Sequence, residues 1–324
     1  MKAAIYRRYG APHVVKIEEV PTPQPQEHEL LIQIHASTVS TGDMRARSLK
    51  MPRGFELFAR PVFGFFAPRK KILGTEFSGR VAQVGPGVTQ FKVGDAVFGF
   101  TGFDMGCHAQ FRLMRESDCV LPMPQNLDFA HAAALCFGGT TALHFLNKLP
   151  KAQAHARMLV VGAAGAVGSA AVQLAKNLGY HVVGVSSGAN LKLIQGLGCD
   201  EQIDYTQPNA FQNVQPFDVI YDAVGAGGYL KYRALLKNSG TLIMSGGDLF
   251  QLFENGKAKK NGHRVLAGPV PKNMADIRTL KALAESGRYQ PLIHHVFPFS
   301  EIAQAHAQVD TGHKKGSVVV TWVA

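Results

Sequence analysis

Three glycines recur at every third position in the run Gly162-Ala163-Ala164-Gly165-Ala166-Val167-Gly168. The apolar segment Met158-Leu159-Val160-Val161 leads straight into it, and helix-like residues 169–178 follow. The spacing is a variant of the G-x-G-x-x-G turn. A sharp strand-to-helix turn of this kind lets backbone N–H groups approach a pyrophosphate, and the helix N-terminus adds favourable electrostatics. The next strand-like segment ends at Val185-Ser186-Ser187. A site that prefers NAD places Asp or Glu there to bind the ribose hydroxyls. Ser186 stands in its place. A carboxylate would repel a 2′-phosphate, whereas a serine hydroxyl can donate to one. Ser187 lies beside it, Lys192 can supply charge one turn on, and Tyr205 can pack on the adenosine side. Together these residues favour NADPH over NADH.

Other chemistries lack their residues. The 13 histidines include no H-E-x-x-H or comparable spacing, so a His-based metal site is not expected. Ser37, Ser40 and Ser245 have no G-x-S-x-G elbow around them, so nucleophilic hydrolysis has no support. Four scattered cysteines do not make a disulfide framework, which favours a reducing compartment.

The elements that must position the glycine turn can be read on either side of it. From about Asp128 strands and helices alternate. Residues 130–149 read mainly as helix, interrupted at Gly138-Gly139. Strands are expected at 157–161, 181–185, 202–205, 217–222 and 240–244, with helices at 167–178, 190–197, 228–236 and 274–285. That alternation implies a parallel, doubly wound sheet. The first third reads instead as strands and turns: 29–36 and 77–84 are strand-like, and Val93-Gly94-Asp95-Ala96-Val97-Phe98-Gly99 closes a small barrel-like unit. The tail, 316–322, is a Val-rich strand that is expected to return to the first lobe.

At 324 residues and 46% hydrophobic, the chain can build two packed lobes and is not disordered. The net charge of +11 permits an anionic partner. The basic runs Arg69-Lys70-Lys71, 257–260 and Lys314-Lys315 are far apart and lack interleaved aromatics, so they read as solvated surface and no nucleic acid is expected. No stretch of about twenty apolar residues lacks charges, so no membrane span is expected. Strand-like residues begin at Lys2 with no leader ahead of them, and the expected address is cytoplasmic.

With these residues in view, the chain resembles a zinc-independent member of the medium-chain dehydrogenase/reductase superfamily, in the quinone-oxidoreductase-like branch. The resemblance spans nearly the whole chain. It rests on residues 73–81 (Leu73-Gly74-Thr75-Glu76-Phe77-Ser78-Gly79-Arg80-Val81), Val84-Gly85, 93–99, Gly139-Thr140-Thr141-Ala142-Leu143, the glycine loop, Ile203-Asp204-Tyr205, and 217–225, in the family's order. It implies an α/β fold: an N-terminal GroES-like β-barrel catalytic domain (1–127 and 267–324) and a Rossmann NADP-binding domain (128–266). The cofactor would lie in the cleft between them. The resemblance also implies that 162–168 hold the pyrophosphate and that Ser186, Lys192 and Tyr205 face the 2′-phosphate. Thr141, Val224, Gly225, Ser245, Gly246, Gly268, Pro269 and Val270 would line the ribose and nicotinamide end. Relatives are often dimers through the Rossmann sheet edge, and a homodimer is expected here.

Zinc-dependent members carry Cys, His and then Cys or Asp as catalytic ligands, the groups that suit the metal. At the matching positions this chain has Ser40, Thr75 and Cys136, and it has only Cys107 and Cys119 where a structural zinc lobe needs four cysteines. No metal is expected, and Cys136 reads as a small buried apolar residue. What remains is hydride transfer to small, flat, hydrophobic acceptors, quinones or α,β-unsaturated carbonyls, whose conjugation spreads the charge without a Lewis acid. Ser40, Thr41 and Arg45 are the candidate catalytic residues; many relatives carry Asn-Pro in place of Ser40-Thr41, and some have Tyr in place of Arg45. Asp43 reads as structural, accepting turn N–H groups. Two alternatives stay open: an NADP-binding sensor or RNA-binding protein with little turnover, and a zinc-free alcohol or aldehyde reductase. Phe55, Phe58, Phe63, Phe65 and Phe66 crowd one segment followed by Arg69-Lys70-Lys71. They suit a lid or pocket wall over a flat substrate, ordinary core packing, a dimer contact, or an interfacial membrane patch.

Overall fold

The computed structural model describes residues 1–322. The chain divides into two units. One comprises Met1–Met51, Glu56–Phe137 and the chain from Pro271 onward; the other comprises Pro52–Phe55 and Gly138–Val270.

The first unit is built on the long strand Glu29–Val39, whose residues Leu30, Ile32 and Ile34 face inward and are buried. This strand pairs antiparallel with Glu76–Val84. On its other edge the first half pairs with Phe111–Arg115 and the second half with Ser317–Thr321. Ala96–Phe100 and Val120–Pro122 extend the sheet beyond Glu76–Val84, and Ile293–Pro298 joins Ser317–Thr321 in parallel. The tail thus closes the unit in which the chain began. Period-two alternation buries Leu30, Ile32, Ile34, Phe77, Val81, Val97 and Val120 in one core. Ser40 follows the long strand directly and opens the helix Thr41–Ser48.

The second unit is a six-stranded, all-parallel sheet. Its order is Glu201–Asp204, His181–Ser186, Arg157–Val161, Phe217–Asp222, Leu236–Met244, Arg264–Ala267. The chain starts in the middle and winds outward both ways, the doubly wound order with a switch point beside Arg157–Val161. Strand residues Leu159, Val183, Ile220 and Leu242 are fully buried, as a sheet covered on both faces requires.

Two local readings need correction, and further elements add to them. The helical stretch after Asp128 breaks at Ala134 and Leu135, between Phe129–Ala133 and Cys136–Leu146; Gly138 and Gly139 lie inside the second helix. Helix at 228–236 is confined to Tyr229–Tyr232 with a 3-10 turn, Arg233–Leu235, because the next strand begins already at Leu236. The strand Arg264–Ala267 and the helix Ile302–Asp310 went unforeseen. A helix, Glu56–Phe63, also forms inside the Phe-rich segment.

Candidate active site

Six strands of the second unit end in six loops, and these loops carry nearly all the residues assigned to a dinucleotide. Val161, Asp222, Met244 and Ala267 lie in one register row across the sheet. Gly162, Ala223, Ser245 and Gly268 therefore leave the sheet side by side, and Val224 follows one residue on. On the other side of the first strand, Ser186 pairs with Asp204, and the Tyr205 N–H donates to the Ser186 carbonyl at 3.1 Å. Parallel sheets bind their ligands at this carboxyl edge.

The glycine turn is held by its own backbone. The N–H groups of Gly162 and Ala163 both donate to the Val185 carbonyl at 3.1 Å, and the Gly165 N–H donates to the Gly162 carbonyl at 3.0 Å. Gly162 has φ +77°, which favours glycine, and a Cβ there would press on Val224. A Cβ on Gly168 would overlap the Gly162 carbonyl, so the helix Ala166–Asn177 can sit this close only with glycine at that position. Gly165 is the N-cap and offers no side-chain acceptor, so the first-turn N–H groups keep their donor capacity for a ligand. Ala163 and Ala164 are buried, while Gly165, Ala166 and Val167 are half-buried at the rim.

Asp222 organises the neighbouring loop. Its fully buried carboxylate accepts from the N–H groups of Val224 (3.0 Å), Gly225 (2.9 Å) and Gly227 (3.3 Å) and from the Tyr232 hydroxyl (3.1 Å). Gly225, at φ +73°, packs against the Gly246 carbonyl where a Cβ would clash. The Ser245 N–H donates to the Asp222 carbonyl at 3.1 Å. Thr141 sits on Cys136–Leu146, and its carbonyl accepts from the Tyr221 hydroxyl at 3.3 Å. Gly138 of the same helix meets the Ala166 carbonyl at a distance that leaves no room for a Cβ.

Toward the 2′-phosphate assignment, Ser186 is buried at the strand end, Ser187 accepts at Oγ from Asn190 Nδ2 (3.1 Å), and Lys192 and Tyr205 are exposed. The Asp204 carboxylate is committed to its own turn. It accepts from the Thr206 hydroxyl and N–H and from Gln207, and these bonds hold it below the usual carboxylate range. Val224 is exposed, Pro269 is exposed, Val270 is half-buried, and Gly268 adopts φ +133°.

In the first unit, Ser40, Thr41 and Arg45 share the start of one helix. Ser40 caps it: its Oγ accepts from the Asp43 N–H at 3.2 Å, and Asp43 Oδ2 accepts from the Ser40 N–H at 2.8 Å and the Ser40 hydroxyl at 2.6 Å. Asp43 Oδ1 accepts from the Gly74 N–H at 2.7 Å. The Thr41 hydroxyl, one residue on, has no hydrogen-bond partner among the described residues. Arg45 is half-buried and forms no ion pair among them; burial lowers its pKa.

Sequence reasoning missed Glu76. It is buried in strand Glu76–Val84 and caps the helix Cys136–Leu146, accepting from the N–H groups of Cys136 (2.9 Å) and Phe137 (2.6 Å) at Oε2 and from the Thr38 hydroxyl at Oε1 (2.5 Å). Burial pushes its pKa up to about 7, against the opposing pull of those bonds. Of the five clustered phenylalanines, Phe63 packs on the first unit's core. Phe55 is half-buried, and Phe58, Phe65 and Phe66 are exposed.

Comparison with known proteins places this architecture. The alcohol dehydrogenase GroES-like domain family matches residues 26–125, the zinc-binding dehydrogenase family 197–320, and the NAD dependent epimerase/dehydratase family 158–235. A 2-methylene-furan-3-one reductase of Solanum lycopersicum is 32% identical over 332 residues, covering 99% of this chain and 79% of its own. The chain belongs to the medium-chain dehydrogenase/reductase superfamily. An NADPH-dependent alkenal/one oxidoreductase of Arabidopsis thaliana is 30% identical with the same coverage. The solved quinone oxidoreductase of Coxiella burnetii is 27% identical, with a TM-score of 0.84 over 100% of this chain and 99% of that one. Within the superfamily this chain is an α/β oxidoreductase with a GroES-like unit and a parallel-sheet unit.

Two groups that the superfamily implies can be tested against these residues. A nicotinamide dinucleotide fits the glycine turn, whose crowding no Cβ could relieve and whose helix start is uncapped by any side chain. Zinc does not fit. Where a first ligand would stand, the Ser40 hydroxyl is spent on Asp43, the second position, Thr75, offers only a hydroxyl, and Cys136 is the one thiol of the three. Among the described residues, no three His, Cys, Asp or Glu side chains gather to hold a metal ion.

Proposed function

We propose that the protein is an NADPH-dependent, zinc-independent reductase of quinones or α,β-unsaturated carbonyls. The observation that carries the reading is the register row of strand ends, with the glycine turn at its centre and Ser186 in place of a carboxylate. The alkenal/one and furanone reductases among its relatives support the acceptor class.

The bound dinucleotide would supply the hydride. The chain's own residues then have three tasks. The uncapped N–H groups of the helix start at Ala166 hold the pyrophosphate, on a turn braced by its own backbone bonds. Ser186 and Ser187 hydroxyls donate to the 2′-phosphate, with Lys192 supplying charge from the next helix. The Asp222-braced loop, with Ser245, Gly246 and 268–270, lines the nicotinamide end. On the acceptor, conjugation delocalises the charge that hydride delivers. Thr41 is the hydroxyl free to give a proton, since that of Ser40 is engaged, and the unpaired Arg45 guanidinium can stabilise a developing enolate oxygen.

Fluorescence titration with NADPH and NADH tests the cofactor assignment. An NADPH preference of tenfold or more, about 1.4 kcal/mol, is expected. Turnover of an enone or quinone, with none of a saturated ketone, tests the acceptor. Binding of neither nucleotide would overturn the proposal.

A further inference from the structure

The helix Glu56–Phe63 is turned the wrong way for a soluble surface. Its small inward face carries Ala59, 4% exposed, and Phe63, which packs on the core one turn later. Outward it shows Leu57, Phe58, Pro61 and Val62, at i, i+1, i+4 and i+5, an apolar stripe along one side. Leu57 is 79% exposed, Phe58 54% and Val62 55%. The loop that follows continues the stripe with Phe65 at 56% and Phe66 at 99%. Single exposed apolar residues are ordinary, but five in ten consecutive positions form a patch of the kind that marks an interaction surface.

This loop is built rather than slack. The Gly64 N–H donates to the Arg60 carbonyl (2.8 Å), the Arg69 N–H to the Phe63 carbonyl (2.8 Å), and the Tyr9 hydroxyl to the Gly64 carbonyl (2.8 Å). The Arg60 guanidinium donates to the Phe65 carbonyl. Gly64 has φ +130° and leaves no space for a Cβ against the Ala67 carbonyl. Four hydrogen bonds thus hold a turn whose tip is an exposed aromatic ring.

The charge around the patch is one-sided. Residues 56–71 contain Arg60, Arg69, Lys70 and Lys71 against Glu56 alone. The carboxylates that Lys70 and Lys71 reach, Asp104 and Glu18, are each paired elsewhere, with Lys272 at 2.6 Å and Arg7 at 2.6 Å. An apolar stripe ringed by cations is complementary to an anionic lipid surface: rings and aliphatic side chains enter the headgroup–acyl boundary while the cations meet the phosphates.

We propose that Leu57, Phe58, Val62, Phe65 and Phe66, flanked by Arg60, Arg69, Lys70 and Lys71, dock the protein peripherally on an anionic phospholipid bilayer. The attachment is reversible and needs neither turnover nor bound cofactor, so it stands or falls apart from the reductase reading.

Co-sedimentation of the full chain with phosphatidylcholine vesicles, with and without phosphatidylserine, tests it. The expected result is binding to the phosphatidylserine vesicles, weakened as salt is raised from about 0.05 to 0.5 M because the Debye length shrinks. Lys70→Gln and Lys71→Gln should each weaken it roughly fivefold, the order expected for one cation near a charged membrane. Phe66→Ser should weaken it at least tenfold with an unchanged unfolding midpoint, since that ring touches almost nothing. Equal binding to both vesicle types, or to neither, overturns the proposal. So does a concentration-dependent dimer that Phe66→Ser abolishes, because a second copy then covers the patch. A Phe66→Ser variant that keeps its vesicle affinity but raises KM for a water-soluble enone also overturns it, and makes the loop a substrate lid.

Discussion

The Ser40 hydroxyl donates to Asp43 Oδ2 at 2.6 Å while its oxygen accepts from the Asp43 N–H at 3.2 Å. One residue therefore gives both its polar functions to a helix start, and the neighbouring Thr41 hydroxyl is left open. Ser40→Ala should lower stability by about 1 kcal/mol, the usual worth of an N-cap, while kcat changes little. Thr41→Val should leave stability nearly unchanged and lower kcat by roughly 10²-fold or more if its proton transfer is rate-contributing. Thermal unfolding and steady-state kinetics on the two variants decide between them. A collapse of kcat in Ser40→Ala alone would assign the proton to the cap residue.

Gly165 and Gly168 make opposite predictions although they share a motif. A Cβ on Gly165 meets only the Gly162 carbonyl, at 3.4 Å, and its φ of −79° suits any residue. Gly165→Ala should fold normally and, on the proposed cofactor assignment, bind NADPH at least tenfold more weakly, because the added methyl would crowd phosphate oxygens at the helix start. Gly168→Ala should destabilise the fold itself, by about 1–3 kcal/mol, because strand and helix must separate. Circular dichroism melts alongside nucleotide titrations separate the two effects.

Replacing Ser186 with Asp restores the carboxylate of an NAD-type site. NADPH affinity should fall by about 10²-fold from charge repulsion with the 2′-phosphate, while NADH affinity stays level or rises. An unchanged ratio would place the 2′-phosphate elsewhere.

Glu76 makes stability depend on pH in a direction unusual for a carboxylate. Its folded pKa is about 7 and its ordinary value 4.5, so the folded state holds a proton that the unfolded chain releases. Its contribution is fully present below about pH 4.5, declines as pH rises toward 7, and is lost above that. Glu76→Gln mimics the protonated form: the amide oxygen can accept from Cys136 and Phe137, and the amide nitrogen can donate to Thr38. The variant should lose this pH dependence and match or exceed the parent above pH 7. Glu76→Ala should be destabilised at every pH by about 1–3 kcal/mol through orphaned N–H groups. Unfolding midpoints from pH 4.5 to 8.5 report both; a flat parent profile would contradict the assignment.

Much of this was legible in the chain itself, for identifiable reasons. The parallel sheet announced itself because its central strands carry apolar runs that are buried on both faces and alternate with helical segments, even though the edge strand Glu201–Asp204 is polar. The loop residues followed, since a strand's C-terminal neighbour must lie at the sheet's carboxyl edge. What could not be read were features that depend on distant partners. Glu76 looks like any carboxylate in a strand until Thr38 and the Cys136 helix start are placed around it. Gly138-Gly139 read as a helix break because glycine disfavours helix, yet the close passage to the Ala166 carbonyl explains Gly138 inside one. In the Phe-rich segment, Pro61 masked a helix of eight residues whose apolar side points outward.

Asp222 accepts three backbone N–H groups and one hydroxyl from a single buried carboxylate, and this makes residues 224–227 a cooperative unit. The loop cannot fray one bond at a time without leaving a charge stranded. The amides of Val224, Gly225 and Gly227 should therefore exchange with solvent deuterium at one shared rate, set by a single opening event, although Val224 itself is exposed. The loop is in that sense a hinged panel with one latch.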